Sequence, residues 1–536
     1  MADDKQPIVH RKAARPLIMG RNGVVTSGHP LATGVGLRIL QAGGNAVDAA
    51  IATALCLAVV KPESCGVGGD LFALVHMNKD ADVKALNASG PAPADATDGY
   101  FESAGLTSVP VTGPLSIAVP GAVDGWLELH RRYATMPLRD LSADAVRLAR
   151  DGFPIDVQLA SAIADTTTPD IARGYRDTLS NIAAGEFLTQ PELADTLEII
   201  AREGRSGFYG GELAQRISTG VREQGGILRP DDFDGTFAEW LDPLSSDYRG
   251  YQLFEQPPVS QGFLVCEIMN LLAEFPWEDM DPSHWAHVMI EAKKLAFEDR
   301  ILHLEDPAFG PADIQRLISK AHAKSRKEKI GARAQPVEAP LQRTGSDTTY
   351  LCCADSDGNV VSLIESVFAL FGSGVVAGDT GVVMNNRLCS FGLDKEKANA
   401  LVPGKKPAHT LNSYMIFRDQ QFFGVGGTPG ADDQPQTNAQ VLHYLLDQRM
   451  DPQTALEAPR WSHRPGTHPN SFGPEELRME AGFPNEIIEG LKQRGHPVSE
   501  VDRWSFGGAA LIVMDPLTKT WMAAADPRRQ TYALAW

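Results

Sequence analysis

One stretch near residue 350 decides the fold, and it reads Gly345-Ser-Asp-Thr-Thr-Tyr-Leu-Cys-Cys-Ala-Asp-Ser-Asp-Gly358. Residues 350–353 are typical of a short buried strand, and the Asp-Ser-Asp-Gly run that follows is typical of a turn. Asn359-Val-Val-Ser-Leu-Ile364 then predicts the return strand of a β-hairpin. Thr348 therefore stands at the start of a core strand. From these residues alone, the simplest interpretation is a structural threonine on a hairpin.

Thr348 has a second interpretation if the peptide bond before it is cut. Cleavage would leave a free α-amine beside the Thr348 hydroxyl, and that pair is an activated nucleophile. The preceding residues favour a site of this kind. A basic helical pattern at 321–333 gives way to an irregular run with Pro and Gln at 334–344, which is typical of a linker. The linker ends at Asp347, immediately before Thr348.

Composition limits the classes of function. The chain has 536 residues, of which 43% are hydrophobic and 22% charged, as expected for a globular protein with several domains or one large layered domain. Its net charge of −19 argues against nucleic acid and anionic membranes as partners. The 6 cysteines lack metal-ligand spacing, so we expect free thiols, no metal and no cofactor. No signal peptide is visible, and we expect a cytoplasmic protein.

The periodicity predicts a mixed architecture. Residues 23–27 form a predicted strand, and residues 46–59 a helix that is apolar nearly all round. The glycine-rich run Pro62-Glu-Ser-Cys-Gly-Val-Gly-Gly-Asp70 precedes a strand and lacks a Lys-Ser/Thr ending, so it does not fit a phosphate-binding loop. Close backbone packing near a site better explains its glycines. Helical patterns dominate residues 122–300, and short strands follow Thr348. We therefore expect an α+β layered core built from both halves.

Many short motifs in a fixed order resemble the γ-glutamyltransferase family of N-terminal nucleophile hydrolases over nearly the whole chain. Each motif alone is weak, but their common order is specific. They include His29-Pro-Leu-Ala32, Gly43-Gly-Asn-Ala-Val-Asp-Ala-Ala50, Phe371-Gly-Ser-Gly-Val-Val-Ala-Gly378, Asn385-Asn386, Gly427-Thr-Pro-Gly430, Ala458-Pro-Arg460 and Asp526-Pro-Arg528.

The resemblance implies a four-layer αββα sandwich made as one self-cleaving proenzyme. Cleavage between Asp347 and Thr348 would leave a large subunit, 1–347, with a C-terminal linker at about 311–347. The small catalytic subunit would be 348–536. Aligning the motifs makes Thr348 the nucleophile and general base, with Thr349 as the alternative. The two fragments would be each other's partners, and a homodimer or heterotetramer remains open.

The resemblance also implies roles for other residues. Ser366 falls where the family keeps a hydroxyl that hydrogen-bonds the nucleophile. Gly430 and Ala431 fall where backbone N–H groups stabilise the oxyanion. The expected substrate-binding positions follow the family's pattern but not its residue types. They are Ser89, Phe368, Ser390, His409, Thr410 and Asp432.

Three of these positions carry specific expectations. The family's carboxylate-binding arginine is missing near Ser89, where the sequence reads Asn87-Ala-Ser-Gly90 before Ala92-Pro-Ala94. His409 either donates a hydrogen bond to a small carboxylate or carbonyl, or simply hydrogen-bonds a loop. Asp432 either contacts an amine-bearing substrate or lies in a solvated turn.

A bidentate arginine–carboxylate contact is hard to replace with neutral groups. We therefore expect an amide hydrolase or acyl transferase of the family's amidohydrolase branch. It would pass the acyl group of a small, oxamate-like or acylase-type amide to water or an amine. One alternative is a glutathione hydrolase or γ-glutamyltransferase. An alternative of another class is an inactive homologue that only binds a ligand.

Overall fold

Two antiparallel sheets, each with seven strands, form the centre of this computed structural model, which describes residues 13–80, 82–165, 182–310, 312–337, 348–464 and 474–536. The strands of the described residues are β1 Ile18–Gly20, β2 Gly23–Ser27, β3 Asp70–His76, β4 Val83–Ala88, β5 Phe153–Pro154, β6 Phe187–Leu188, β7 Ala238–Leu241, β8 Leu244–Tyr248, β9 Tyr251–Glu255, β10 Thr349–Asp355, β11 Val360–Ser366, β12 Ser413–Arg418, β13 Gln421–Gly427, β14 Trp461–Arg464, β15 Glu476–Glu480, β16 Val498–Val501, β17 Ala510–Met514, β18 Trp521–Ala525 and β19 Tyr532–Ala535.

The first large sheet has the order β1-β18-β17-β13-β12-β9-β8, and the second has the order β19-β2-β10-β11-β3-β4-β7. The sheets β14-β15-β16 and β5-β6 are small additions. The α-helices are α1 Pro30–Gln41, α2 Ala46–Val60, α3 Asp98–Ser103, α4 Ala122–Tyr133, α5 Leu138–Asp151, α6 Val157–Asp165, α7 Pro191–Glu203, α8 Arg205–Tyr209, α9 Gly211–Glu223, α10 Phe263–Ala273, α11 Pro282–His303, α12 Ile314–Leu317, α13 Lys320–Lys327, α14 Asp433–Leu442, α15 Pro452–Glu457 and α16 Asn485–Gln493. Short 3-10 turns lie at Pro114–Ser116, Pro230–Phe233, Trp277–Asp279 and Arg387–Ser390, and a π-helical turn at His443–Asp447 follows α14.

Four layers follow from the alternation of side chains along the strands. In β10, Tyr350 and Cys352 point into the core between the two sheets, whereas Leu351 and Cys353 point outward beneath α1 and α2. The other sheet carries α10 and α11 on its outer face, where Ile416 lies among their apolar side chains. The expected αββα sandwich is confirmed. Since α2 is buried along its whole length, as its apolar pattern predicts, it belongs to the interior of its layer.

The β10–β11 hairpin forms where the sequence predicts it. The strands pair in antiparallel register from Thr349 opposite Glu365 to Ala354 opposite Val360. Asp355 Oδ1 accepts the backbone N–H groups of residues 357 and 359 at 2.9 and 3.0 Å, which fixes the turn. Gly358 occupies the turn with φ +84°, a conformation that favours glycine.

The hairpin sits between strands from the other end of the chain. β10 pairs with β2 on one side, and β11 pairs with β3 on the other. Residues from both sides of position 348 therefore build one sheet, which confirms that the core needs both halves.

Part of the expected linker lies against the body of the protein. Within residues 312–337, Lys294 Nζ donates to the Gln335 carbonyl at 2.9 Å, and the Ala334 N–H donates to the Arg494 carbonyl at 2.9 Å. The remaining linker residues, 338–347, lie outside the described residues. Across the described ranges, no helix is both long and apolar enough to cross a membrane.

Candidate active site

Thr348 and Ser366 meet where the two central strands adjoin. Thr348 precedes β10 and Ser366 ends β11, so the antiparallel register places them opposite each other. The Thr348 hydroxyl donates to Ser366 Oγ at 3.1 Å, and Ser366 Oγ also accepts the Phe368 N–H at 2.8 Å. Thr348 is only 2% exposed. The structure thus brings together the predicted nucleophile and the predicted hydroxyl in a nearly dry environment.

The glycine-rich loop packs against the residues that follow β11. A Cβ atom at Gly69 would lie 2.6 Å from the Ser366 carbonyl oxygen, and one at Gly68 would lie 2.2 Å from the Val383 carbonyl oxygen. Hydrogen bonds from the Val367 N–H to the Ser64 carbonyl at 3.1 Å and from the Phe371 N–H to the Glu63 carbonyl at 2.9 Å join the same segments. The close-packing interpretation of the loop's glycines is confirmed.

Gly430 and Ala431 form a candidate oxyanion site between β13 and α14. Both have positive φ values, +129° and +47°. Their carbonyls accept the Asp433 and Gln434 N–H groups at 2.8 and 3.1 Å, but their own N–H groups donate to no acceptor among the described residues. Donors of this kind at a helix N-terminus suit a developing negative charge. The role of these two residues remains a prediction.

His409 is part of a buried polar cluster around Asp70. Its Nε2 lies 3.1 Å from Asp70 Oδ2, and the ring packs against Phe72 at an interplanar angle of 52°, with centroids 4.7 Å apart. Burial lowers the pKa of His409 to about 4, so the ring is neutral and Nε2–H donates to Asp70. Because this donor is already engaged, the geometry favours the loop-binding interpretation of His409 over contact with substrate.

The residues that align with the family's other substrate positions are also buried. Ser89 Oγ donates to Asn87 Oδ1 at 2.7 Å, at the end of β4. Phe368 is 3% exposed, with φ +83°, and Ser390 is 5% exposed on its 3-10 turn. Thr410 Oγ1 accepts a hydrogen bond from Arg387 Nη1 at 3.3 Å. The guanidinium of Arg387 also lies 4.1 Å from the centroid of the Phe368 ring, so Phe368 and Thr410 both contact it.

Asp432 forms an ion pair with Arg300 of α11. Arg300 is itself buried, at 8% exposed. Asp432 lies in the turn before α14, with its side chain 22% exposed and its carboxylate paired. Asp347 lies outside the described residues.

Sequence reasoning missed Asp70 and Arg387. Arg387 directly follows the Asn385-Asn386 motif, and Asp70 ends the glycine-rich loop, so both were adjacent to recognised motifs. Asp70 Oδ1 accepts the backbone N–H groups of Gly90 and Gly121 at 3.1 and 3.3 Å. Asp70 therefore joins several loops around the site.

Two buried groups carry metal-ligand side chains within 4.8 Å of one another. In the first, His287 is hydrogen-bonded to His496 at 2.8 Å, and Lys294 pairs with Glu291 at 2.9 Å. In the second, which consists of Glu267, Asp299 and His322, Arg326 lies 3.2 Å from Asp299. Since a cation already neutralises a carboxylate in each group, both fit structural ion-pair clusters better than metal sites.

An αββα sandwich with a threonine at the head of a central strand, hydrogen-bonded to a serine hydroxyl, is the arrangement of an N-terminal nucleophile hydrolase. The sequence profile described as Gamma-glutamyltranspeptidase matches residues 32–536, and the chain belongs to that family. Enzymes of the family include amidohydrolases and acyltransferases.

Three relatives show the range of the family. The chain is 38% identical to the glutathione hydrolase-like YwrD proenzyme of Bacillus subtilis strain 168, covering 95% of this chain and 98% of that one. It is 33% identical to the oxamate amidohydrolase proenzyme of Klebsiella pneumoniae, over 95% and 97% of the two chains. The solved structure of a cephalosporin acylase from Bacillus halodurans superposes with a TM-score of 0.89 at 35% identity, over 100% and 99% of the two chains.

Proposed function

We propose that the chain is a proenzyme that cuts its own Asp347–Thr348 bond and then uses Thr348 to hydrolyse a small amide or transfer its acyl group. The observation that carries this proposal is the hydrogen bond of 3.1 Å between the Thr348 hydroxyl and Ser366 Oγ, at the head of a buried strand. The proenzyme names of its relatives support self-cleavage.

Self-cleavage would begin with attack of Thr348 Oγ on the Asp347 carbonyl. The carbonyl carbon's bond to the Thr348 nitrogen breaks as its bond to Oγ forms, and the hydroxyl proton moves to the nitrogen. Water then adds to the ester, Oγ leaves with a proton, and Asp347 keeps a carboxylate. The products are two fragments, 1–347 and 348–536, and the second begins with a free amine.

The same atoms would then act on a substrate. The α-amine, with an ordinary pKa of about 7.7–8.0, accepts the Thr348 hydroxyl proton and passes it to the leaving nitrogen as the amide C–N bond breaks. An ester on Oγ results, and the N–H groups of Gly430 and Ala431 would hold the oxyanion on the way. Water or an amine cleaves the ester, loses a proton through the same amine, and regenerates the hydroxyl.

The burial of the site supports a small acyl group. Thr348 is 2% exposed and Phe368 is 3% exposed, so there is little free space beside the nucleophile. No arginine lies just before Ala92-Pro-Ala94, where the family's carboxylate-binding arginine is expected. Its absence argues against an efficient γ-glutamyl enzyme. Glutathione hydrolysis is the second candidate, and the name of the relative that is 38% identical favours it. A ligand-binding homologue without activity is the third.

A denaturing gel of the purified chain tests self-cleavage. We expect two bands, and N-terminal sequencing of the smaller one should read Thr-Thr-Tyr-Leu-Cys. Thr348→Ala should stay one band and turn over no amide. The matched control is Thr349→Val, since Thr349 Oγ1 has no hydrogen-bond partner among the described residues. If Thr349→Val blocks cleavage and Thr348→Ala does not, Thr349 is the nucleophile.

Substrate choice is tested with the processed protein, using oxamate, a γ-glutamyl anilide and a glutaryl amide. We expect hydrolysis of oxamate or the glutaryl amide. Rapid cleavage of the γ-glutamyl anilide, with the others untouched, would make glutathione-type hydrolysis the function.

A cytoplasmic location is also part of the proposal. All 6 cysteines are free and buried, which fits a reducing compartment. Cell fractionation with an antibody to the chain would test it, and recovery outside the cytoplasm would contradict it.

A further inference from the structure

Arg387 is a buried cation whose hydrogen-bonding capacity is only partly used. Its side chain is 0% exposed, and its guanidinium lies 4.1 Å from the centroid of the Phe368 ring. Nη1 donates to Thr410 Oγ1 at 3.3 Å, whereas Nε and Nη2 have no hydrogen-bond partner among the described residues. A buried guanidinium in this state is costly unless an anion completes it.

The neighbouring carboxylate does not complete it. Asp70 Oδ2 lies 3.8 Å from Arg387 Nε, within ion-pair distance but too far for a hydrogen bond, and it already accepts from His409. The other oxygen, Oδ1, accepts two backbone N–H groups. Burial lowers the pKa of Arg387 to about 10, so the guanidinium stays charged at neutral pH. The cation therefore keeps its charge and has N–H donors, on Nε and Nη2, that no described residue accepts.

Each group around the guanidinium is also one contact away from the catalytic residues. The Phe368 N–H donates to Ser366 Oγ, which receives the Thr348 hydroxyl. Asp70 is the β3 partner of Ser366 in the sheet register. The Thr410 carbonyl shares the Gln261 amide with the Ala431 carbonyl, at 2.6 and 3.0 Å. The guanidinium is thus connected to both the Thr348 side and the oxyanion side of the site.

We propose that Arg387 binds the substrate carboxylate, and that the substrates are monoamides of short dicarboxylic acids. This inference rests on the proposed function and names its substrate class. The N–H groups on Nε and Nη2 lie in one plane and can bind both oxygens of a carboxylate. Phe368 and Ser366 link the guanidinium to Thr348, and this short connection suits an acid with few carbons between its carboxylate and its amide.

The surroundings also select against a substrate amine. The carboxylate of Asp432 is paired with Arg300, and both oxygens of Asp70 are occupied. The rest of the cluster around Phe368 is apolar, including Leu388, Cys389 and Phe391. An ammonium group beside Arg387 would lack a counter-ion and face a like charge, so an acyl group that carries only a carboxylate is favoured.

Steady-state kinetics of Arg387→Gln provide the first test. The variant should still cut itself, because the Asp347 carbonyl is delivered by the chain and needs no anchor. Its kcat/KM for oxamate, malonamate or succinamate should fall about 10- to 100-fold, mainly through KM, as expected when a hydrogen bond to a charged group is lost. Hydrolysis of the neutral analogue oxamide should not change. Arg387→Lys keeps the positive charge but cannot form two parallel hydrogen bonds to a carboxylate. Its kcat/KM for these substrates should therefore lie between those of the wild type and Arg387→Gln.

Binding of the product dianions provides a test that does not depend on turnover. Oxalate, malonate or succinate should raise the melting temperature of the purified wild type, cleaved or not, but not that of Arg387→Gln. Arg216→Gln, which removes a surface arginine paired with Asp379, should respond like the wild type. Equal ionic strength of sodium chloride serves as the salt control.

The outcomes separate the two proposals. A wild type that neither cuts itself nor hydrolyses any amide contradicts the proposed function, while the dianion contrast still decides the role of Arg387. Equal stabilisation of wild type and Arg387→Gln by the dianions, or unchanged discrimination between oxamate and oxamide in the variant, overturns the assignment of Arg387. If Arg387→Gln does not fold, the same two comparisons are made with Arg387→Lys.

Discussion

The hydroxyl oxygens of Thr348 and Ser366 lie 3.1 Å apart, although 18 residues separate them along the chain. The separation is closed by one hairpin turn, because each residue stands at the open end of a strand in the same antiparallel pair. Ser366 is itself fixed by the Phe368 N–H, so its oxygen presents a defined orientation to the threonine. These two hydrogen bonds orient the hydroxyl of the proposed nucleophile.

Replacing Ser366 with alanine should slow turnover while leaving the fold intact. The substitution removes the hydrogen-bond partner of Thr348 and leaves the Phe368 N–H without an acceptor, a loss of about 1–3 kcal/mol, or roughly 10- to 100-fold in rate. Steady-state kinetics on the best amide measure it. Ser362→Ala on the same strand, whose hydroxyl bonds Tyr350 and Ser413, is the control and should keep normal kcat. Equal rate losses in both variants would contradict a specific role for Ser366.

Replacing Gly430 with alanine should disturb the oxyanion site. The backbone there has φ +129°, which alanine adopts only with strain, so the peptide should rotate and move the N–H groups of residues 430 and 431. We expect kcat to fall about 100-fold or more, as for loss of an oxyanion donor. Gly482→Ala, at φ +120° between β15 and α16, imposes similar strain elsewhere. If both variants lose stability equally and neither loses kcat, Gly430 has no catalytic role.

The buried charge cluster around Asp526 should be a large contributor to stability. Asp526 pairs with Arg460 and Arg528, and all three side chains are fully buried. Asp526→Asn leaves Arg460 and Arg528 with a single carboxylate, that of Glu480, between them, and we expect a loss of about 3–5 kcal/mol in the free energy of unfolding, measured with urea. The matched control is Asp195→Asn, which breaks an exposed pair with Arg150 and should lose less than about 1 kcal/mol.

The four buried histidines should lower the stability of the protein as the pH drops below about 6.5, against the opposite contribution of Glu267 and Glu365, whose pKa burial raises to about 8. Burial lowers the pKa of His287 and His409 to about 4 and that of His463 and His496 to about 3. The unfolded chain then binds protons that the folded chain does not, so stability falls as the pH drops from about 6.5 towards 4. Each histidine contributes up to about 1.4 kcal/mol per pH unit.

Urea denaturation at pH 6.5, 5.75 and 5 measures this slope. His463→Gln removes one of the titrating groups and should make the slope shallower by up to about 1.4 kcal/mol per pH unit. A slope that is unchanged in His463→Gln would show that this ring titrates alike in the folded and unfolded states.

Local patterns predict the local structure well. The strand at Gly23–Ser27 and the hairpin around Gly358 are found where alternation and turn residues predict them, since both depend on neighbours in the chain. The helix α14 is different: its apolar pattern predicts a start at residue 438, but it starts at Asp433. The missed turn is polar yet buried, because Gln434 accepts from Asn412 and Gln436 donates to the His463 carbonyl. Periodicity cannot identify a helix face whose buried side chains are amides.

The candidate site is only partly accessible to sequence reasoning. Motifs predict Thr348, Ser366, Gly430 and Ala431 as site residues, and the structure brings the first two into contact. The sequence does not predict the contact of His409 with Asp70, because the two residues are 339 positions apart and come together only when β3 and the loop before β12 pack against each other. The same distance in sequence hid the surroundings of Arg387. Whether a polar residue faces a substrate or a buried carboxylate depends on such long-range contacts.

The position of the hairpin between β2 and β3 has a consequence for biosynthesis. A separate polypeptide that began at Thr348 would have to insert the β10–β11 hairpin between β2 and β3, which both precede residue 348. A continuous precursor avoids this, because the sheet assembles first and the cut comes afterwards. Cleavage then creates a new N-terminus inside a sheet that has already folded. The two fragments should unfold as a single cooperative unit, and they should not separate before that unit unfolds.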